Sequence, residues 1–209
     1  SLRIGGARGL LEGESLEQRT VGLRSRGVAG TPRGADWFRF IGETERAYVA
    51  GMKDYLRTEL KCRALLIDSQ ASYGGLSGVY RESLNDFVDM HSYWQHPSFS
   101  GTAWDPVNWS IKNTPMSSEP RNAANLGNLA AFRVDTKPFT VTEYDHPAPS
   151  HSVAEMFPMV ASFAGAQDWD GIFQFDWGGA GSPVGVVGSY FALQNHPAKL
   201  AFIPAAALL

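Results

Sequence analysis

Four short apolar runs, each turning polar at its C-terminal end, constrain this chain more than any other feature. They are residues 63–70 (RALLIDSQ), 86–91 (DFVDMH), 138–143 (PFTVTE) and 171–175 (GIFQF). Each has the length of a strand, and helical patterns stand before the first run and between the third and fourth. After Asp36, read as an N-cap, Phe38, Ile41, Tyr48, Met52, Tyr55, Leu56 and Leu60 recur at spacings of three, four and seven. This predicts an amphipathic helix of about six turns that buries the stripe and leaves Arg46 and Lys53 in solvent. Residues 153–167 predict a second helix, with Met156, Phe157, Val160, Phe163 and Ala164 on one face and Pro158 in or near its first turn. A third is expected over 197–208, interrupted near Pro204. Strands that alternate with helices imply a parallel sheet, because parallel neighbours need a crossover.

Composition narrows the function classes. The 209 residues suffice for one buried core, and a formal charge of −3 offers no electrostatic attraction for nucleic acid or an anionic membrane. No apolar run reaches the roughly 20 residues of a membrane span, and the first residues lack the pattern of a secretion signal. The expected partner is a neutral molecule, with neither nucleic acid nor membrane. Cys62 is the single cysteine, which leaves the compartment open between cytoplasmic and secreted. Lys and Arg crowd the first part of the chain, 13 of 18 before residue 82, whereas all five His and every Trp except Trp37 come later. The chemistry is therefore expected in the later part. Residues 1–36 read as irregular, with one short helix near 10–18 and a turn cluster at 30–34. The segments 71–85 and 95–121 read as long loops, the second rich in aromatic residues and therefore a candidate for function.

In parallel α/β folds, ligands bind at the carboxyl ends of the strands. The residues there are Asp68 and Gln70; His91, Tyr93, Trp94 and His96; Glu143, Tyr144, Asp145 and His146; and Gln174, Asp176 and Trp177. Aromatic faces stack on sugar rings, and carboxylates, amides and imidazoles bond hydroxyls, so the set suits a neutral carbohydrate. Other readings stand beside this one. Glu143 as a solvated strand end, His91 and His96 as core imidazoles or as metal ligands with Asp145 or His146, and Trp104 and Trp109 as loop packing are all compatible with the sequence. No tight metal-ligand spacing occurs, and neither metal nor cofactor is expected.

Lys137-Pro138 followed by Val141-Thr142-Glu143-Tyr144 resembles the nucleophile strand of retaining glycoside hydrolases of clan A, relatives of cellulases and β-galactosidases. The segment from Asp86 to Trp94 (DFVDMHSYW) resembles the strand before it, and Gln167 to Phe175 (QDWDGIFQF) the approach to the last strand. The resemblance covers about residues 36–205 and rests on order and spacing. It implies an α/β fold, half of a TIM (β/α)8 barrel with about four parallel strands and flanking helices over 37–209. It also implies a retaining mechanism with Glu143 as nucleophile, assisted by His91 and Tyr93. Gln70, Trp94, His96, Trp109, Asn113, Tyr144, His146 and Trp177 are the residues expected to hold the sugar. The family's acid/base, an Asn-Glu at the end of the fourth strand, has no counterpart before the helix at 36–60, and Asp68 and Asp145 are the candidate substitutes. A carbohydrate-binding, catalytically impaired half-barrel is the alternative, and a non-catalytic assembly module a third reading. Four strands leave two open edges and an inner face with Leu65, Ile67, Phe87, Val88, Val141, Ile172 and Phe173 expected on it. A homodimer or a partner half-barrel is expected to cover them.

Overall fold

A computed structural model describes residues 3, 4, 7, 8, 10–22, 31–119, 121, 124–178 and 182–209. Two-residue strands β1 (Arg3–Ile4) and β2 (Ala7–Arg8) pair antiparallel, and turns follow over 12–19 where a short helix is expected. Glu14 organises that stretch instead, accepting from the Leu11 and Gly22 amides and pairing with Arg33 at 2.7 Å. Helix α1 (Pro32–Thr58) starts before the expected Asp36, because the Thr31 side chain caps it by accepting from the Gly34 amide. The expected turn at 30–34 is thus the first turn of a helix, with Gly30 outside the described residues. So is the rest of the irregular segment at 23–30.

The packing of α1 inverts the expectation. Its charged side faces the protein: Arg46 reaches Ser83 at 2.9 Å and lies over the Tyr80 ring, while Lys53 and Arg57 both pair with Asp86, at 2.7 and 2.5 Å. Asp86 in turn accepts from the Leu66 amide, so this ion cluster ties helix, connecting segment and next strand together. Val49 is buried, yet Tyr48 is 65% exposed and Tyr55 50%, with Met52 exposed between them. Helix α2 (Leu76–Glu82) occupies the segment expected to be a loop. Its Gly78 makes that docking possible, since a Cβ there would lie 2.1 Å from the Ala71 carbonyl oxygen.

Strands β3 (Val88–Tyr93), β6 (Phe139–Asp145) and β7 (Gly171–Gln174) form one parallel sheet in that order. Between β3 and β6 lie the pair β4 (Ser98–Phe99) and β5 (Trp109–Ser110), a 3-10 turn at Met116–Ser118 and helix α3 (Asn125–Ala130). A 3-10 turn at Val153–Glu155 leads into α4 (Met156–Gln167), with Pro158 in its first turn, and Asp168 ends that helix in the left-handed conformation. The chain closes with α5 (Pro197–Leu200) and α6 (Ile203–Ala206); the break falls at 201–202, and Pro204 sits inside the first turn of α6.

The expected first strand at 63–70 is not part of the sheet. It is irregular and tied to the start of β3 and the residues before it, by the Asp86 amide on the Leu66 carbonyl at 3.0 Å and the Ala71 amide on the Asp89 carbonyl at 2.9 Å. Its backbone near Leu66 and its Gln70 side chain bond to side-chain or single backbone partners, which replaces a regular ladder. The core lies on one side of the sheet. Val88 and Met90 of β3, Phe139, Val141 and Tyr144 of β6, and Ile172 of β7 pack on Leu126 and Leu129 of α3 and Met156 and Val160 of α4. Val88 and Val141 are therefore buried under helices and do not line the open face, whereas Leu65 and Phe173 are exposed as expected. Among the described residues no helix is long and apolar enough to cross a membrane.

Candidate active site at the strand ends

The site depends on a bulge. Opposite β3, the register of β6 steps between Met90 and His91, so that Met90 pairs with Val141 and His91 with Glu143. Thr142 is the extra residue. In a regular strand Thr140 and Thr142 would share a face with Tyr144, and Glu143 would join Val141 under the helices. The bulge reverses the alternation after Thr142. Glu143 and Asp145 come to the open face with Thr140 and Thr142, and Tyr144 turns into the core.

On β3 the alternation is regular, and Asp89, His91 and Tyr93 form a column beside them. The Tyr93 hydroxyl donates to Glu143 Oε2 at 2.5 Å, and His91 Nδ1 stands 3.3 Å from the same oxygen. Burial, reinforced by the Glu143 charge, pushes the Tyr93 phenol above its ordinary range, so it remains a neutral donor at physiological pH. The other imidazole nitrogen of His91, Nε2, lies 3.0 Å from Thr142 Oγ1 and 3.2 Å from Asp89 Oδ2. Asp89 is 2% exposed and accepts from Thr140 Oγ1 at 2.6 Å, Thr142 Oγ1 at 2.5 Å and the Thr142 amide at 3.0 Å. Glu143 itself stays open to solvent on one side.

An aromatic wall stands beside this group. Tyr93 meets Phe191 at 4.8 Å between ring centroids and, edge-on, Phe175 at 5.8 Å and His96 at 5.6 Å. His96 continues to Trp104, Trp104 to Phe99 of β4, and Tyr190 joins Trp109 of β5 at 4.5 Å. The long loop 95–121 thus folds its aromatic residues against the segment 190–191. Lys199 of α5 holds that segment down. Its fully buried ammonium donates to Asp145 Oδ1 at 2.5 Å and to the Phe191 carbonyl at 3.2 Å, and Gln174 bonds the other Asp145 oxygen. Burial pushes the Asp145 carboxyl up to about 8 against the pull of Lys199, and burial likewise lowers the ammonium.

Of the sequence-predicted residues, His91, Tyr93 and Glu143 converge, and His96 and Trp109 join the aromatic wall. The others lie elsewhere or are engaged. Gln70 is buried, its amide oxygen taken by the His91 amide and by Ser72. Trp94 packs against the core and donates to the Thr114 carbonyl, and Asn113 accepts from Ser150 and the His151 amide. Tyr144 and His146 are buried and meet each other at 3.1 Å from hydroxyl to Nε2, beneath the sheet. Trp177 is exposed, while Phe175 takes the place beside Tyr93. Asp68 pairs with Arg81 at 2.5 Å and Asp145 with Lys199, so neither candidate substitute acid is free. Among the described residues no three His, Cys, Asp or Glu side chains converge as metal ligands.

Sequence reading missed Phe175, Phe191, Tyr190 and Lys199, which reach the site only through tertiary packing. It also missed Asp89, though the Asp-x-His-x-Tyr spacing at 89–93 places three polar side chains on one strand face and was a usable signal. Asp176 is the remaining carboxylate at these strand ends. Its Oδ1 is shielded from solvent and has no hydrogen-bond partner among the described residues, and its charge is felt at Tyr93, Asp145 and Lys199. Comparison with models of protein families, with characterised proteins and with solved structures gives no match to this chain.

Proposed function

We propose that the chain is half of a (β/α)8-type retaining glycoside hydrolase acting on a β-linked sugar, with Glu143 as nucleophile. The observation that carries this reading is the pairing of a solvent-accessible Glu143 with Tyr93 and His91 at the carboxyl ends of adjacent parallel strands, beside a wall of aromatic rings. A carboxylate held by one neutral donor keeps its charge and one free oxygen, which is what attack on an anomeric carbon requires. The rings offer faces for a sugar. Asp68 and Asp145 are bound in ion pairs, so the chain works without an internal acid/base on leaving groups that depart unprotonated. Consecutive parallel strands β3, β6 and β7, with residues 63–70 alongside as an incipient fourth, suit half of an eight-stranded barrel. A second copy completes it across the exposed Leu65 and Phe173.

The test is labelling by a panel of 2,4-dinitrophenyl 2-deoxy-2-fluoro-β-glycosides. Glu143 Oε attacks the anomeric carbon as the bond to the dinitrophenolate breaks, giving one phenolate and one glycosyl ester per chain. The expected result is a burst of one equivalent and a mass increase on the peptide carrying Glu143, absent in Glu143→Gln. No adduct with any sugar of the panel, or an adduct that persists in Glu143→Gln, overturns it. Sugar binding without an adduct would establish the carbohydrate-binding alternative.

A further inference from the structure

Behind the nucleophile contacts lies a buried carboxylate, Asp89. A carboxylate that is 2% exposed and takes three hydrogen bonds from Thr140 and Thr142 is satisfied without any further donor. Its Oδ2 nevertheless faces His91 Nε2 at 3.2 Å. The hydroxyl proton of Thr142 is committed to that same Oδ2, so Thr142 Oγ1 can only accept from Nε2, 3.0 Å away. Both groups in front of Nε2 are therefore acceptors, against the single acceptor Glu143 Oε2 in front of Nδ1, so the one proton of the neutral ring is held at Nε2. In the neutral ring Nδ1 is then bare and turned to Glu143 Oε2.

We infer that Asp89 is a positioning residue that fixes the Nε2–H tautomer of His91, and thereby leaves the Glu143 carboxylate hydrogen-bonded by Tyr93 alone whenever the imidazole is neutral. The catalytic consequence rests on Glu143 being the nucleophile; the tautomer itself does not. Asp89 also pins the bulge, because its Oδ1 takes the Thr142 amide and the Thr140 hydroxyl and so holds the extra residue that turns Glu143 outward. A histidine given the opposite tautomer would donate from Nδ1 to Glu143 permanently, and a carboxylate with two donors on one oxygen is a poorer nucleophile.

The test is Asp89→Asn, which keeps size and leaves the amide oxygen to take the Thr142 amide while its NH2 faces Thr142 Oγ1 and His91 Nε2. A donor in that place makes Nε2 an acceptor and moves the proton to Nδ1. Long-range 1H–15N spectra of the ring, recorded at a pH where His91 is neutral, distinguish the tautomers directly. Nε2–H in the wild type and Nδ1–H in Asp89→Asn are expected, with labelling of Glu143 by the fluoroglycoside slowed at least about tenfold and sugar affinity unchanged. Wild-type His91 with Nδ1–H overturns the inference without any variant, as does retention of Nε2–H in a folded Asp89→Asn. A switched tautomer with an unchanged labelling rate overturns the catalytic role. Absence of labelling in the wild type is the failure of the glycosidase reading, and the tautomer measurement still decides the role of Asp89.

Discussion

His146 stands among the residues that a sequence reading assigns to the sugar, and the structure makes it a buried base with a measurable signature. It is 1% exposed, with Nε2 on the Tyr144 hydroxyl, and burial together with the nearby Lys199 charge lowers its pKa from 6.5 to about 3. In the unfolded chain the imidazole takes up a proton below about 6.5, whereas in the folded chain it does so only near 3. The unfolded state therefore binds more protons throughout that window. The stability that His146 contributes is complete above the unfolded value and is lost as pH falls, by about 1.4 kcal/mol per pH unit. Between pH 7.5 and 5 the loss amounts to about 2 kcal/mol. Asp145, raised by burial, titrates in the opposite sense across part of this range, so the difference between two proteins isolates the effect. His146→Gln retains an acceptor for Tyr144 and cannot titrate. Urea unfolding of both proteins at a series of pH values should show the variant losing about 2 kcal/mol less than the wild type between pH 7.5 and 5. Parallel curves would mean that His146 protonates freely in the folded state, and the burial argument would fall.

The remaining expectations follow from the same geometry. Glu143→Gln should lower any glycosidase turnover by several orders of magnitude while leaving the urea midpoint nearly unchanged, and retention of a tenth of the rate would refute its role. Lys199→Met should destabilise by about 3–5 kcal/mol, because it leaves the buried Asp145 without its partner. A variant as stable as the wild type in urea unfolding would contradict that pairing. The purified chain should sediment as a dimer, and Phe173→Arg on the open face should weaken association at least about tenfold; a cooperatively unfolding wild-type monomer at micromolar concentration would exclude the paired half-barrels.

What the sequence by itself determined is what depends on local periodicity. Runs at 86–91, 138–143 and 171–175 became β3, β6 and β7, because alternating β-branched and aromatic residues suit a half-buried ladder. The helices around 36–60 and 153–167 were equally legible, and so was the placing of His91, Tyr93 and Glu143 on adjacent strands. Tertiary structure alone decided which way things face. The apolar stripe of α1 looked buried, but Lys53 and Arg57 turn the helix over, because Asp86, some thirty residues away in sequence, offers a carboxylate to both. The segment 63–70 looked like a strand, but its partners at Asp86 and Asp89 hold it at only two backbone points. Glu143 faces the open side only because one extra residue in β6 shifts the register, and a bulge belongs to a pair of strands and not to either sequence alone. Phe175, Phe191 and Lys199 join the site through contacts that span from about fifty to a hundred residues, which no window on the sequence contains. Periodicity fixes the elements; charge pairs and register, set between distant segments, fix which of their faces meets the strand-end site and which the core.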